Sequence, residues 1–280
     1  MCSRTHEDVS RVNQIMKSDI FFTEVKEGYC RICGRFDRLT REHVIPKNAG
    51  GGVGVKLYNP IDLLKDKNSS HYILKQDGLT ARTLCADCNN LIGREYDEDF
   101  GIFYKTVNYA VSYEIKKKIN NGKIRKETDL IGSSAGFTIK NIKPFNIAKR
   151  ILASFCSIEH EGLTNRIPEI QRAILKPSYI PDINDFSLYF TLKLGGDSFS
   201  AAIAAGRMDG KIEVYSIIES GYTGFYLKET KNNADFPDSL GETINITNWL
   251  TDYAHNKEYD MHFIVPLISN MGLSVNIPTE

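Results

Sequence analysis

The chain has 280 residues, 41% of them hydrophobic and 25% charged, with 35 Lys/Arg against 35 Asp/Glu. That composition sits in the globular range and excludes disordered, collagen-like and low-complexity classes, while the balanced charge excludes a histone-like partner held by bulk charge alone. The charge is unevenly spread: residues 1–127 carry 22 Lys/Arg against 17 Asp/Glu and residues 128–280 carry 13 against 18, so the first half is the expected face for a polyanion.

No apolar run approaches the ~20 residues of a membrane-spanning helix, and the first residues lack an apolar signal core. A cytoplasmic location with no membrane partner is expected. Thiols stay reduced there, so the six cysteines do not read as a disulfide framework.

In chain order, residues 1–27 read as a helical extension with Val9, Val12 and Ile15 on one side. From Gly28 to about Gly101 the pattern becomes loop-rich, with paired cysteines, Arg-rich connectors and a glycine run at 50–52. That run lacks the Gly-Lys-Ser/Thr ending of a phosphate loop and reads as a flexible connector. Residues 95–121 predict one long helix, from Tyr96, Phe100, Phe103, Val107, Val111 and Ile115 at helical spacing. Its last turn carries Lys116, Lys117 and Lys118, a run that the helix dipole favours as a solvated face. Helical patterns at 145–158 and 165–175 precede alternating segments at 186–194, 199–206, 211–218 and 223–228. Gly195-Gly196, Asp209-Gly210 and Gly221 punctuate them, which predicts an antiparallel sheet. The expected class is α+β in three parts: 1–27, a module with its long following helix at 28–127, and an α+β accessory domain at 128–280.

Cys30-Arg31-Ile32-Cys33 and Cys85-Ala86-Asp87-Cys88 form two CxxC pairs. Together they offer a four-thiolate tetrahedron, the closed shell that zinc takes in structural sites. Such an ion contributes folding free energy directly, which accounts for order in a segment with few core residues. Cys156 lies in an apolar helical pattern, where a buried thiol is a small hydrophobe.

Between the pairs stands Glu42-His43-Val44-Ile45-Pro46, followed by Gly50-Gly51, and the second pair runs on as Cys88-Asn89 with Gly93 and Asp97 beyond. In this order the residues resemble the HNH endonuclease superfamily, in the branch that reads CxxC, EHVIP with a Gly-Gly pair, then CxxCN, a glycine and an aspartate. The resemblance covers about residues 28–100. It implies a ββα-metal, treble-clef-like nuclease module with Glu42 and Asn89 as ligands of a catalytic Mg2+ or Mn2+ ion. The same residues suit phosphodiester hydrolysis on chemical grounds. An imidazole with pKa near ~6.5 is a fit general base, which assigns that role to His43, and Glu42 and Asn89 offer the hard oxygens that Mg2+ or Mn2+ prefers.

Three further positions are expected to contribute. Gly93 would let phosphate approach the helix backbone, with an ordinary helix break as the competing reading. Asp97 would be a direct or outer ligand of the catalytic ion, or a surface acid. Thr80 stands where the family often carries an asparagine that orients the base, so either Thr80 or a backbone carbonyl orients His43. Arg31, Arg35, Arg38, Arg41 and Lys47 are candidates for tracking a phosphate backbone, which positions nucleic acid without reading sequence. DNA is the expected substrate, and defence against phage or mobile DNA is the setting that the family suggests. Residues 128–280 show no second catalytic constellation and are expected to serve self-association, substrate gating or a protein partner. A noncatalytic zinc-stabilised module binding nucleic acid or protein stays open as the alternative.

Overall fold

A computed structural model describes residues 25–52, 55–58, 72–122, 134–159, 162–193, 199–208, 211–230 and 243–268. The helical extension expected before residue 25 lies outside the described residues.

The first half opens with β1 (Glu27–Tyr29) and β2 (Phe36–His43), joined by the first cysteine turn. Cys30 N donates to Arg35 O at 2.8 Å and Gly34 N to Cys30 O at 2.8 Å. Gly34 sits at φ +72°, a conformation that glycine adopts without steric penalty. A separate hairpin pairs β3 (Val55–Tyr58) with β4 (Tyr72–Lys75), and β5 (Thr80–Cys85) then returns antiparallel to β2, giving the order β1-β2-β5. Helix α1 (Ala86–Glu95) starts directly from Cys85, so one sheet end and one helix start carry the second cysteine pair.

The long helix expected over 95–121 is observed as one helix, starting two residues later and preceded by a separate shorter helix. α1 ends at Tyr96 (φ −132°, ψ −26°), and α2 (Asp97–Asn120) begins at the next residue. Tyr96 is buried and its hydroxyl donates to Ile174 O at 2.9 Å, a tertiary bond that fixes the break and that no local pattern encodes. Asp97, Glu98 and Asp99 in the first turn of α2 and Lys117 and Lys118 in its last turn complement the helix dipole.

The second half contributes β6 (Ser134–Ile142), α3 (Pro144–Ile158), α4 (Leu163–Arg166), α5 (Pro168–Leu175), β7 (Phe186–Lys193), β8 (Phe199–Met208), β9 (Lys211–Ser220), β10 (Thr223–Glu229), β11 (Ile244–Asn245) and β12 (Tyr259–Ile268). The last six strands and β6 form one sheet of order β6-β12-β7-β10-β9-β8, with β11 also beside β7. It is antiparallel as expected except where β12 runs parallel to β7. The chain is therefore an α+β protein.

Helix α3 is buried along its whole length. On α2, Phe103 packs against Phe190, Trp249 and Phe263 at centroid distances of 5.5, 5.7 and 6.0 Å. The hydrophobic core is one cluster that runs from Ile32, Val44 and Cys85 through Ile151 and Phe155 to Phe190 and Val265. The cysteine-bearing segment therefore leans on α3, and α3 leans on the sheet.

Candidate functional site

Cys30, Cys33, Cys85 and Cys88 bring their sulfurs within 4.8 Å of one another, and Cys33 Sγ lies 3.8 Å from Cys85 Sγ. A tetrahedron of ~2.3 Å metal–sulfur bonds has its sulfurs about 3.8 Å apart, so the four thiols can hold a metal ion such as zinc. Cys88 hydrogen-bonds Cys30 and holds that thiol far below the usual range, while Cys88 itself is raised. Sulfurs sharing protons this closely present the electron density that a cation neutralises.

Next to this cluster lies a cavity of about 230 Å³, lined by Glu42, His43, Lys47, Asn89, Asp97, Arg150 and Ser157 among others. Its floor comes from the end of β2, where the register with β5 shifts between Thr40 and Glu42. Such an irregularity re-aims side chains at a strand end. Glu42 is only 4% exposed, whereas its neighbour His43 is half-buried.

His43 Nε2 sits 3.0 Å from Asp77 O. A carbonyl only accepts, so Nε2 carries the proton and Nδ1 keeps its lone pair. Burial, then the charges of Lys47 and Arg41, push the His43 pKa below its usual value, against the pull of the Asp77 carbonyl. The ring is thus neutral at pH 7 and oriented by a backbone carbonyl. Thr80, opposite His43 in the ladder, is occupied elsewhere: its Oγ1 accepts from Arg41 Nε at 3.3 Å.

The Glu42 carboxylate accepts from Thr83 Oγ1 through Oε1, and its Oε2 is buried with no hydrogen-bond partner. Burial raises its pKa to about 8, opposed by the Thr83 hydroxyl, by the nearby Ser157 hydroxyl, which itself donates to Ala153 O at 3.2 Å, and by the Arg150 charge. Asn89 Nδ2 donates to Thr40 Oγ1 at 3.1 Å, and the Thr40 hydroxyl donates in turn to Leu84 O at 3.0 Å. With its proton committed to Leu84, Thr40 can only accept, which fixes Nδ2 toward it and leaves Asn89 Oδ1 uncommitted.

Asp97 lines the cavity but pairs with Arg150 and takes part in holding that side chain. Gly93 is exposed within α1, which runs through it to Glu95 without a break; a Cβ there would meet only Asp97 Oδ2 at 3.8 Å. Gly50 and Gly51 are not a loose connector. Gly50 (φ +90°) closes a 3-10 turn over Lys47–Ala49, and Gly51 N donates to Pro46 O at 3.0 Å.

The basic residues divide. Arg31 turns inward, Nη1 donating to Ser157 O at 2.8 Å. Arg35 pairs with Asp87 at 2.6 Å beside the sulfurs, and Arg41 pairs with Asp77 at 3.0 Å. Arg38 and Lys47 are exposed.

Sequence reasoning missed the contribution of α3. Arg150, Ser154 and Ser157 stand at i, i+4 and i+7 on one side of a mostly apolar helix that also buries Asn146 and Lys149. Arg150 Nη2 donates to the His43 and Val44 carbonyls at 3.1 and 3.3 Å, and Ser154 Oγ donates to Val44 O at 2.7 Å. A polar stripe at helical spacing inside a mostly apolar helix was the available signal.

Compared with protein-family models, with curated proteins and with solved structures, the chain matches none.

Proposed function

We propose that the protein is a metal-dependent endonuclease of the HNH type that hydrolyses phosphodiester bonds in DNA, with Cys30, Cys33, Cys85 and Cys88 holding a structural zinc ion. The observation that carries this reading is the buried Glu42 Oε2, without a hydrogen-bond partner, in the same cavity as a neutral, carbonyl-anchored His43. A buried carboxylate oxygen with no donor is costly unless a cation meets it.

Glu42 Oε2 and Asn89 Oδ1 are hard donors suited to Mg2+ or Mn2+. When bound, such an ion supplies charge compensation at the scissile phosphate and its leaving oxygen. His43 Nδ1 takes a proton from the attacking water as the water oxygen bonds to phosphorus and the bond to the leaving oxygen breaks. The Nε2–H bond to Asp77 O steadies the imidazolium that forms. Lys47, exposed at the rim, meets the incoming phosphate charge.

Plasmid and oligonucleotide cleavage with added Mg2+ or Mn2+, comparing wild type with His43→Ala at matched zinc content, tests the reading. Loss of at least a hundredfold in rate is expected for the variant. Equal cleavage by both proteins would remove His43 from the chemistry, and a wild type that cleaves nothing would leave the binding-module alternative.

A further inference from the structure

Helix α2 carries a solvent-facing stripe that neither the core nor the cavity uses. Of the eight large hydrophobic side chains most exposed among the described residues, three lie on it: Ile102, Tyr109 (73% exposed) and Tyr113 (54%). The two tyrosine rings stack on each other, centroids 6.4 Å apart and planes 21° apart, and Lys117 Nζ lies 5.9 Å from the Tyr113 ring centre. At 100° per residue, Lys105, Tyr109, Tyr113, Lys116 and Lys117 fall within about 120° of arc, and all three lysines are exposed. Glu98, exposed, shares this arc at the start of the helix, and Glu114, which borders it, is paired with Lys117 at 3.8 Å.

The helix that bears the stripe starts at the cavity, which its first residue Asp97 lines. Asn48, next to the rim residue Lys47, packs on Gly101, where an added Cβ would lie 2.7 Å from its side chain, and Asn48 Nδ2 donates to Asp97 O at 2.9 Å. Lys105 is one turn beyond Gly101 on the same side of the helix.

We infer that this face of α2 is a docking track for single-stranded DNA leading to the cavity. Exposed aromatic faces with interleaved lysines bind unpaired bases by stacking and the backbone by charge. In a duplex the base faces are already covered by their neighbours. A second copy of the chain would set lysines against lysines. The Tyr109 and Tyr113 hydroxyls are free to meet a 2′-hydroxyl, so the choice of DNA over RNA rests on the nuclease reading. That the docked strand is also the substrate rests on the same reading; the binding of a single strand does not.

The test uses the full chain carrying His43→Ala, without added Mg2+ or Mn2+, so that binding is read apart from cleavage. Anisotropy of a labelled oligothymidylate should show affinity falling at least tenfold with Tyr109→Ala/Tyr113→Ala, since stacking is worth ~1–3 kcal/mol per base. Lys105→Ala/Lys117→Ala should lower the dependence of affinity on salt. Tyr29→Ala/Phe36→Ala, which removes the exposed aromatic pair at the first cysteine turn, should leave affinity unchanged. Unchanged affinity in the Tyr109/Tyr113 variant would overturn the inference, as would an equal fall in the Tyr29/Phe36 control or equal binding of the annealed duplex or of oligouridylate. A protein that binds through the stripe yet never cleaves would sink the nuclease reading alone, and one that cleaves with binding indifferent to the tyrosines would sink the track alone.

Discussion

Arg150 Nε lies 2.5 Å from Asp97 Oδ1, and the same guanidinium donates to the backbone carbonyls of His43 and Val44. One side chain from the second half of the sequence therefore fastens the start of α2 to the end of the strand that bears the candidate base. Arg150 is 4% exposed and its Nη1 donates to Ser154 Oγ at 2.6 Å, so four of the five N–H groups of this buried charge have acceptors.

Removing one partner from such an arrangement leaves the other groups buried without compensation, at a cost of about 3–5 kcal/mol. Arg150→Ala is expected to lower stability by about 3 kcal/mol in denaturant unfolding. Arg150→Lys should recover little of it, because an ammonium cannot span the carboxylate, the hydroxyl and two carbonyls at once. Asp97→Asn should cost less, as Asp97 is partly open to solvent, and the double variant should fall short of the sum. Strict additivity would mean that the two residues are not coupled.

The four thiols predict a different response. If a metal ion links β1–β2 to the start of α1, its binding energy is folding energy. Cys33→Ser or Cys88→Ser should release about one zinc ion per chain, measured by metal analysis, and should lower the melting temperature by more than 10 °C. Because the core is continuous from Ile32 through α3 to the sheet, calorimetry should show the entire transition shifting. An unchanged melting curve, or a protein purified without metal, would end the metal argument.

Much of this was legible from local pattern. β7, β8, β9 and β10 follow the alternating segments because their periodicity is broken at Gly195-Gly196, Asp209-Gly210 and Gly221, and the thiol cluster follows from two CxxC spacings. The long helix was read to within two residues of its start at Asp97, but the tertiary bond from Tyr96 to Ile174, 78 positions away, that holds its junction with α1 was not. Nor was the parallel pairing of β12 with β7. Arg150, Ser154 and Ser157 recur at helical spacing in the sequence, but only the fold shows that Arg150 and Ser154 meet the carbonyls of His43 and Val44. At the cavity, Glu42, His43 and Asn89 were visible as residue types in order, but the carbonyl of Asp77 that orients His43 has no signature, as any residue supplies one.

Gly51 tests how tightly the turn after the candidate base is built. A Cβ there would lie 1.7 Å from Ile45 O, and backbone oxygen cannot move aside as a side chain can. Gly51→Ala should destabilise by about 2 kcal/mol or more, whereas Gly52→Ala, whose nearest neighbour would be Lys47 Cγ at 3.7 Å, should be within about 0.5 kcal/mol of wild type. Equal effects at the two positions would show that the turn is looser than described.

Glu42 ties stability to pH in a way that reveals whether a cation belongs beside it. Its folded pKa of about 8 stands above the ordinary 4.5. Between these values the unfolded chain has released the proton while the folded one retains it, so each step up in pH weakens the fold until about pH 8, and nothing more is lost above it. The contribution of Glu42 is therefore full below about pH 4.5 and gone above pH 8. Glu42→Gln stays neutral throughout. Without added Mg2+ or Mn2+, the variant should gain on wild type by several degrees in melting temperature between about pH 5 and about pH 8.5. Adding Mn2+ at the higher pH should raise wild type and leave the variant unmoved, because the ion binds the ionised carboxylate of the folded state. A melting difference that ignores pH would show that Glu42 ionises freely, and an equal Mn2+ response in both proteins would place the ion elsewhere.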